Sequence, residues 1–380
     1  MYEIADKARS WAEIDLSALK HNFEYASKRI GRKVICVLKA DAYGHGAVEC
    51  GLYLQKCGAY MFAVAALTEA VAMRKSGITI PIMILGYTSP EYAEILSDFD
   101  IEQAIVDEEH AIAMNKAAAK LNKKVKVHIA LDTGMSRIGI YAQKNHTAAA
   151  DAAERIYRMS NLDVVGMFTH FAAADEPEQT EYTMFQYRNF SIVYNRLIER
   201  GIRIKNCHVS NSAAILNSPI HFDSIRLGIS LYGMYPDSKP VKDGPLKPVM
   251  SLKARVTQTR TLPQGATISY GRTFTTRRTT HTAVISAGYA DGFSRRLSNK
   301  ATVTINGKRY PQIGRICMDV CMADVTDGYD EPGGVRAGDE VTIIGDGGMS
   351  AEEAAQIVGT INYELTCLIT NRVKRIYVNG

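Results

Sequence analysis

Short apolar runs alternate with amphipathic stretches rich in Ala, Glu, Lys and Arg from Val34 to Gly228. The runs have the length of buried strands, and the stretches between them have helical spacing. Eight candidate strands occur, at 34–38, 61–65, 82–85, 102–106, 125–131, 164–170, 206–210 and 222–228. A doubly wound open sheet would also alternate in this way, but a count of eight favours a (β/α)8 barrel.

The pattern changes at residues 235–250, YPDSKPVKDGPLKPVM, where four prolines predict a linker. Strand-like runs with turns follow, among them ATISYG, ICMDVCMADV and a hairpin signalled by Asn306-Gly307. Helices are expected only at SAEEAAQIVG and within TINYELTCLI. We therefore predict an α/β fold with a barrel domain at 1–240 and a mainly β domain at 241–380. Before the barrel, WAEID is predicted to be a short strand or an extended entry.

Composition adds limits on function. The chain has 380 residues, 46% hydrophobic and 22% charged, as in an ordinary globular protein. A net charge of +5 with dispersed Lys and Arg predicts no nucleic-acid partner. Seven cysteines without CxxC spacing indicate reduced thiols, a cytosolic location and no metal site. The start, MYEIADKARS, has no apolar signal region, and the most apolar window, 59–73, is interrupted by Thr68 and Glu69, so neither a secretion signal nor a membrane span is expected.

The string VICVLKADAYGHG, 34–46, contains the strongest chemical signal. Lys39 follows a buried strand, at the end of the barrel where such folds place their chemistry. Among apolar neighbours its amine can become a neutral nucleophile, as Schiff-base formation with a carbonyl cofactor requires. Tyr43 lies four residues on, so a loop could bring its hydroxyl near Lys39. A surface lysine after a core strand is the alternative for such a lysine alone.

The whole string resembles the cofactor motif of alanine racemases, in which pyridoxal 5'-phosphate (PLP) is bound to the lysine and the tyrosine hydroxyl binds its phosphate. The resemblance implies PLP at Lys39 and Tyr43. It extends over nearly the whole chain, with several motifs in the same order. Candidates for further phosphate contacts follow strands seven and eight: Asn211, Ser212, Gly228 and Ile229. Taken alone, Asn-Ser-Ala after a strand is a common helix N-cap.

By the same resemblance Arg226 faces the pyridine nitrogen of PLP. A guanidinium has only donors, so that nitrogen must be an unprotonated acceptor, which suppresses long-lived carbanions. His170 ends the sixth predicted strand and in the family links the catalytic tyrosine to Arg226. A salt-bridge arginine and a satisfied core histidine are the alternatives for each residue in isolation.

The catalytic tyrosine is expected to be Tyr270, because ISYGRTF resembles the second-base motif. Moving a proton from one face of the α-carbon to the other requires two bases, and Lys39 covers only one face. A phenol with a pKa of about 10 must be tuned by cationic neighbours for this task. In the family this tyrosine enters the site from the other subunit, which implies a homodimer with shared active sites.

By the same resemblance, further motifs indicate which residues surround the substrate. LDTGMSRIG places Arg137 against the cofactor phenolic oxygen and the substrate carboxylate. Many racemases have a carbamylated lysine where this chain has Ala130, so Arg137 is expected to lack that partner, which a chloride or other anion could replace. The remaining implied residues are Tyr289, Arg295 and Arg315 in an access corridor, and Met318 and Asp319 on the substrate side, contributed by the partner chain.

Asn371, in INYELTCLITNRVKRIY, stands where alanine racemases usually have a tyrosine that closes the pocket over the substrate methyl group. Asparagine is smaller and offers a donor and an acceptor, which favours a hydroxymethyl side chain. Neutral replacement is the alternative. With this departure the chain resembles vancomycin-resistance-type serine/alanine racemases, in which the racemase domain follows a membrane-embedded half. A cytoplasmic protein, or the cytosolic domain of a membrane-attached one, is therefore expected.

The predicted function is PLP-dependent racemisation of the small amino acids serine and alanine, supplying D-amino acids for peptidoglycan precursors. A strict alanine racemase is the first alternative. A PLP-dependent decarboxylase with the same two-domain plan, a non-catalytic PLP-binding protein and a catalytically silent sensor domain are more remote. The pair of Tyr43 near Lys39 and Tyr270 in ISYGR favours racemisation over decarboxylation. A non-catalytic PLP-binding protein would need no β domain, and a catalytically silent domain would have no reason to retain both bases.

Overall fold

The computed structural model describes residues 9–239, 244–331 and 333–380. Residues Phe23–Ala42 and Ala47–Leu231 form one compact unit, the barrel unit. The described residues of Met1–Asn22, Tyr43–Gly46 and Tyr232–Gly380 form the other, the β unit. The predicted domain border at 240/241, within the predicted linker, lies outside the described residues.

Numbered in chain order, the structure begins with β1 (Trp11–Asp15) and α1 (Leu16–Ile30). Eight parallel strands then form the barrel unit: β2 (Lys33–Val37), β3 (Met61–Val64), β4 (Ile82–Ile84), β5 (Ile101–Ile105), β6 (Val125–Asp132), β8 (Leu162–Phe168), β9 (Asn206–His208) and β10 (Ser224–Leu227). Pairing of β10 with β2 and of β5 with β6 closes the ring, and the two-residue β7 (Ile140–Tyr141) adds to β6. The predicted (β/α)8 barrel is confirmed.

The helices up to the end of the barrel unit are α2 (Lys39–Gly44), α3 (Ala47–Lys56), α4 (Leu67–Lys75), α5 (Ala93–Asp98), α6 (Glu108–Lys120), α7 (His146–Tyr157), α8 (Thr180–Glu199) and α9 (Ser212–Asn217). Short 3₁₀ helices lie at Pro90–Tyr92, Pro177–Gln179 and Ile229–Tyr232. The helices cover the outer faces of the strands, and side chains fill the inside of the barrel. The strands are therefore buried on both faces, which is why they read as continuous apolar runs. No helix in the described part of the chain is both long and apolar enough to cross a membrane.

The turn after β2 is left-handed. Four successive non-glycine residues, Ala40 to Tyr43, have φ between +52° and +54°, a conformation that costs roughly 1–2 kcal/mol for each L-residue. Side-chain acceptors hold it: Glu69 Oε1 accepts from Ala40 N at 2.6 Å, and Asp41 Oδ1 accepts from Ala47 N at 2.8 Å. Where the sequence predicted a loop after Lys39, the structure has this strained helical turn.

The β unit contains a mainly antiparallel sheet and two helices. Its elements are β11 (Met250–Leu262), β12 (Thr267–Ile268), β13 (Phe274–Thr275), β14 (Thr280–Ile285), β15 (Thr302–Ile305), β16 (Lys308–Ile313), β17 (Cys321–Asp324), β18 (Glu340–Ile344), α10 (Ala351–Val358), α11 (Asn362–Cys367) and β19 (Lys374–Val378). The strand order is β14-β17-β16-β15-β18-β11-β1-β19, and β11 also pairs with β14, so six strands close into a ring. Further 3₁₀ helices lie at Tyr270–Arg272, Tyr289–Asp291, Arg295–Leu297 and Thr326–Gly328.

Several local predictions for this unit are confirmed, namely both helices, the strand WAEID and the Asn306-Gly307 hairpin, whose two residues have φ of +50° and +77°. Two were wrong in extent. ATISYG is a strand only at Thr267–Ile268, because Ser269 has φ +62° and ends the pairing. ICMDVCMADV is a strand only at Cys321–Asp324, because Cys317 N bonds back to Val320 O at 2.9 Å and makes a turn.

Candidate active site

Four of the predicted site residues meet in the barrel unit. Lys39 begins α2 just beyond β2 and is half-buried. Burial, and then the positive charges of Arg226, Arg137 and Lys39, hold the pKa of His170 well below its usual value. His170 is therefore neutral at pH 7, and its Nδ1 can accept from Arg226 Nη2 at 3.3 Å. The structure thus brings three cations and one neutral imidazole together.

Arg226 is buried and held by fixed acceptors. Its Nη1 donates to His208 Nδ1 at 2.7 Å and His208 O at 2.9 Å, and its Nη2 donates to Thr169 O at 2.7 Å and Val209 O at 3.0 Å. Within the described residues no acceptor is bonded to its Nε. Burial, and then the positive charge of Arg137, lower the pKa of Arg226 to about 9, which leaves it charged at neutral pH. One charged donor is thus available to an acceptor atom of a ligand, which suits an unprotonated ring nitrogen.

Unused donors also collect after β9 and β10. Ser212 Oγ accepts from Gly228 N at 2.9 Å and from Ser230 N at 3.4 Å, and its own hydrogen has no acceptor in the described part of the chain. Ser230 Oγ is buried without a partner there. Ile229, between Gly228 and Ser230, begins a 3₁₀ helix. Hydroxyl donors without acceptors are what an anionic group such as phosphate would satisfy.

The Asn211 side chain has a structural task in addition to the predicted one. Its Oδ1 accepts from Ala214 N at 3.0 Å and caps α9, while its Nδ2 donates to Phe171 O at 3.2 Å. The N-cap geometry that the sequence offered as the alternative is therefore present. A contribution of Asn211 to cofactor binding stays a prediction.

Tyr43 lies in the β unit among aromatic side chains. Its ring centroid is 5.1 Å from that of Tyr232 and 6.1 Å from that of Tyr363. Burial, and then the nearby Tyr363 and Cys367, raise the pKa of Tyr43 above its usual value. The phenol therefore stays protonated at neutral pH and can donate a hydrogen bond. Sequence reasoning missed Tyr232 and Tyr363 as neighbours of Tyr43. The only sign of them in the sequence was that both are aromatic residues within apolar stretches.

Other predicted residues of the β unit lie on loops that are bonded to one another. Ser269, before Tyr270, donates to Arg315 O at 2.6 Å; Tyr289 N donates to Cys317 O at 3.0 Å; and Thr370, before Asn371, donates to Ala290 O at 2.7 Å. The predicted residues carried by these loops are Tyr270, Tyr289, Arg315, Met318, Asp319 and Asn371. These bonds join sequence positions that are 46, 28 and 80 residues apart, respectively.

These loop residues are unusually exposed for their type. The exposed fraction is 70% for Tyr270, 52% for Met318 and 41% for Tyr289. Arg295, predicted for the corridor, is also exposed, at the start of a 3₁₀ helix. A Cβ on Gly271 would lie 2.9 Å from Arg315 Nη1, so the guanidinium lies beside the residue that follows Tyr270.

Asp291, which sequence reasoning missed, anchors these loops. It is fully buried and accepts from Arg9 at 2.6 and 3.0 Å, from Arg372 at 2.8 and 3.1 Å, and from Gly288 N at 2.9 Å. Although burial alone would raise it, the hydrogen bonds from Arg9 and Arg372 lower the pKa of Asp291. Arg372 also pairs with Asp319 at 2.7 Å, so the residue after Asn371 is tied to a predicted substrate-side residue.

Ala130 is buried in β6, and Arg137 is exposed beyond that strand. Within the described residues Arg137 has neither a hydrogen bond nor an ion pair with a carboxylate. Arg137 is left as a cation for a ligand or a small anion.

Comparison with known proteins gives a consistent result. Residues 14–236 match the family model "Alanine racemase, N-terminal domain", and residues 249–377 match "Alanine racemase, C-terminal domain". An alanine racemase of Clostridium tetani is 44% identical over 97% of this chain and 95% of its own length.

Solved structures agree. The alanine racemase of Clostridium difficile 630 has a TM-score of 0.89 and 38% identity, covering 98% of this chain and 96% of its own. The alanine racemase of Bartonella henselae with covalently bound pyridoxal phosphate has a TM-score of 0.85 and 29% identity, covering 98% of this chain and 100% of its own. These relatives are all named alanine racemases, so the narrower resemblance to vancomycin-resistance-type enzymes gains no support from them.

Proposed function

Because this chain belongs to the alanine racemase family, whose members depend on PLP, we propose that it interconverts L- and D-alanine with PLP bound at Lys39. The names of its relatives support alanine, the first alternative from the sequence, better than serine. The observation that carries the proposal is the set of unused donors in the barrel unit, at Arg226 Nε, Ser212 Oγ and Ser230 Oγ. Together with Lys39 they fit an anionic cofactor with an acceptor ring nitrogen.

Each of these residues would bind a different part of the cofactor. Lys39 would hold it covalently, Arg226 would donate to its ring nitrogen, and Tyr43 and Ser212 would donate to its phosphate. When bound, PLP withdraws electron density from the α-carbon of the amino acid and makes its proton acidic. Because Arg226 cannot accept a proton, the ring nitrogen stays unprotonated, which limits side reactions.

Two residues of the chain then handle the α-proton. Lys39 removes or returns it for the D-enantiomer, and Tyr270 does so on the opposite face for the L-enantiomer. Arg137 would bind the carboxylate of the amino acid, and Met318 and Asp319 would lie on the substrate side.

We also propose a homodimer in which each site takes Tyr270 from the other copy. A tyrosine that is 70% exposed cannot exclude water from a proton transfer, whereas a covering surface would desolvate it. Met318 and Tyr289, exposed on neighbouring loops, would be covered by the same surface. The product would be D-alanine, a building block for peptidoglycan precursors.

Activity on serine is the finer proposal and rests on Asn371. This residue is exposed in a turn, next to Arg372, which pairs with Asp319. A side chain smaller than tyrosine with an amide at this place gives a hydroxymethyl group space and a partner. Serine would then be a second substrate beside alanine.

The test uses the purified chain with added PLP. We expect visible absorbance from the bound cofactor, fixation of PLP on Lys39 by borohydride as located by peptide mapping, and racemisation of both alanine enantiomers. Assays with both serine enantiomers test the finer proposal. A protein that takes up no PLP, or that decarboxylates amino acids instead, would refute the function proposed.

A further inference from the structure

A chain of four polar side chains crosses the interior of the barrel unit. It joins Glu102 of β5, His128 of β6, His208 of β9 and Arg226 of β10, all of them buried. Successive distances are 2.6 Å from Glu102 Oε2 to His128 Nε2, 3.1 Å from His128 Nδ1 to His208 Nε2, and 2.7 Å from His208 Nδ1 to Arg226 Nη1. We call this set the polar chain. Two of its members, Glu102 and His128, have no part in the function proposed above.

The direction of every hydrogen bond in the polar chain follows from Arg226. A guanidinium only donates, so His208 Nδ1 must accept and His208 must have its hydrogen on Nε2. That Nε2–H donates to His128 Nδ1, so the hydrogen of His128 is on its Nε2 and points to Glu102. At 2.6 Å this last contact has the short length of a bond to a carboxylate. Both imidazoles are therefore neutral and each has a single tautomer.

Neighbouring residues fix the rings in place. A Cβ on Gly166 of β8 would lie 2.1 Å from His128 Nδ1, so only glycine leaves room for this imidazole. The ring of Phe168 stacks on His208 with centroids 5.2 Å apart and an interplanar angle of 3°. The same phenyl ring lies 5.6 Å from Arg226 Cζ. The barrel is thus built around the two imidazoles, and neither can rotate freely.

Arg226 contacts no carboxylate within the described residues; its partners are carbonyl oxygens and imidazole nitrogens. The carboxylate nearest along the polar chain is Glu102, two rings away. We propose that Glu102 is a positioning residue: the acceptor Glu102 at one end and the donor Arg226 at the other together fix both tautomers, so that His208 holds Nη1 of Arg226 and leaves Nε–H unpaired for the cofactor ring. Only the last clause rests on the proposed function.

The first test needs no cofactor. Long-range ¹H–¹⁵N correlation spectra of ¹⁵N-histidine-labelled, PLP-free protein report which ring nitrogen of each histidine is protonated. We expect His128 and His208, assigned through His128→Gln and His208→Gln variants, to be neutral with hydrogen on Nε2. A charged ring, or hydrogen on Nδ1 of either residue, would overturn the proposal.

The second test changes the end of the chain. Glu102→Gln retains an acceptor oxygen and should keep both tautomers, whereas Glu102→Leu removes the acceptor and should give mixed tautomers. PLP affinity, measured by absorbance titration, should fall by about 10–100-fold for Glu102→Leu, which is the loss typical when a residue that orients a metal-binding side chain is replaced. The fall should be smaller for Glu102→Gln. Glu352→Leu is the matched control, since Glu352 is a buried carboxylate of the β unit, 7% exposed against 6% for Glu102.

The outcomes separate this proposal from the proposed function. Unchanged tautomers and unchanged PLP affinity in Glu102→Leu would overturn the positioning role even if the enzyme racemises alanine. Mixed tautomers in Glu102→Leu, with those of Glu102→Gln and Glu352→Leu intact, would support it even if alanine proves to be the wrong substrate. If Glu102→Leu does not fold, the wild-type spectra and those of Glu102→Gln still test the proposal. Mixed tautomers in Glu102→Gln, which retains the acceptor oxygen, would contradict the proposed role of Glu102.

Discussion

The barrel unit and the β unit present their site residues in opposite ways. Arg226 in the barrel unit is 2% exposed and bonded to five acceptor atoms, while Tyr270 in the β unit is 70% exposed. The barrel unit thus fixes its donors before any ligand arrives. The β unit instead offers a phenol and a thioether, those of Tyr270 and Met318, which are 70% and 52% exposed on loops bonded to one another.

The difference indicates a division of work. Binding a cofactor requires donors that are already oriented, because each misplaced buried donor costs free energy. A proton-transferring residue that acts on a surface of another copy can be exposed until the copies meet. If this is correct, variants in the barrel unit should alter cofactor binding, whereas variants in the loops of the β unit should alter proton transfer or substrate choice with the cofactor still bound.

The largest effect is expected from Lys39→Ala. This change removes both the covalent anchor and one base, so alanine racemisation should fall by more than about 10⁴-fold and the visible absorbance should be lost. Absorbance spectra and a coupled D-alanine assay measure the two effects. Lys56→Ala, an exposed lysine at the end of α3, is the control and should change neither. An active Lys39→Ala enzyme would contradict the assignment.

Tyr270→Phe should come next, with a loss of about 10²–10⁴-fold, the usual contribution of one general acid or base. Because Tyr270 is exposed and has no part in holding PLP in this proposal, the visible absorbance of the bound cofactor should be unchanged. Exchange of the α-proton in ²H₂O should fall far more for L-alanine than for D-alanine. Tyr157→Phe, an exposed tyrosine of α7, is the control. Equal loss from both enantiomers would argue against one base on each face.

Mixing Lys39→Ala chains with Tyr270→Phe chains tests whether sites are shared. If each site takes its lysine and tyrosine from different copies, a mixed dimer has one intact site, and random mixing restores about one quarter of wild-type activity. Activity is measured after subunit exchange, which differently tagged copies verify. Exchange without any recovery would refute the shared site.

Asp291→Asn tests how far the exposed loops depend on one buried carboxylate. Losing a charge that accepts from two arginines should lower the free energy of unfolding by about 1.5–3 kcal/mol at pH 7. Fluorescence of Trp11, the only tryptophan of the chain, in β1 of the same unit, follows urea unfolding.

The dependence on pH supplies the control. Since the pKa of Asp291 is lowered in the folded state, its stabilisation is complete above the unfolded pKa of about 4 and is lost as pH falls through the lower folded value. The stabilities of wild type and Asp291→Asn should therefore converge in acid. A constant difference down to low pH would show that the charge is not the cause.

The sequence predicted the barrel well because parallel strands buried on both sides leave apolar runs such as Met61–Val64. It could not predict that β1 lies between β11 and β19, because such pairing joins distant segments and leaves no local periodicity. Nor could it predict the left-handed turn at Ala40–Tyr43, since no glycine announces it.

Site residues could be predicted where they belong to a local sequence motif, as Lys39 does. They could not be predicted where they form hydrogen bonds with polar residues far away in the sequence. The partners of His128 in the polar chain are 26 and 80 positions away, at Glu102 and His208. A histidine in an apolar strand was the only local sign. Asp291 was missed for the same reason, because its arginine partners lie 282 and 81 positions away.

The smallest effect, and the sharpest for substrate choice, is expected at Asn371. A tyrosine there would crowd the hydroxymethyl group of serine and remove an amide partner, while the methyl group of alanine would still fit. Differences of this size are worth ~1–3 kcal/mol, so Asn371→Tyr should lower kcat/KM for serine by at least about tenfold and leave kcat/KM for alanine similar or improved.

A second variant, Asn371→Leu, separates crowding from hydrogen bonding, because leucine is close to asparagine in size but has no donor or acceptor. If space dominates, Asn371→Leu should lower kcat/KM for serine less than Asn371→Tyr does. PLP binding should be unaffected in both variants, as the comparison of the two units requires. If Asn371→Tyr lowers both substrates equally, Asn371 only supports the site, and the chain is a strict alanine racemase.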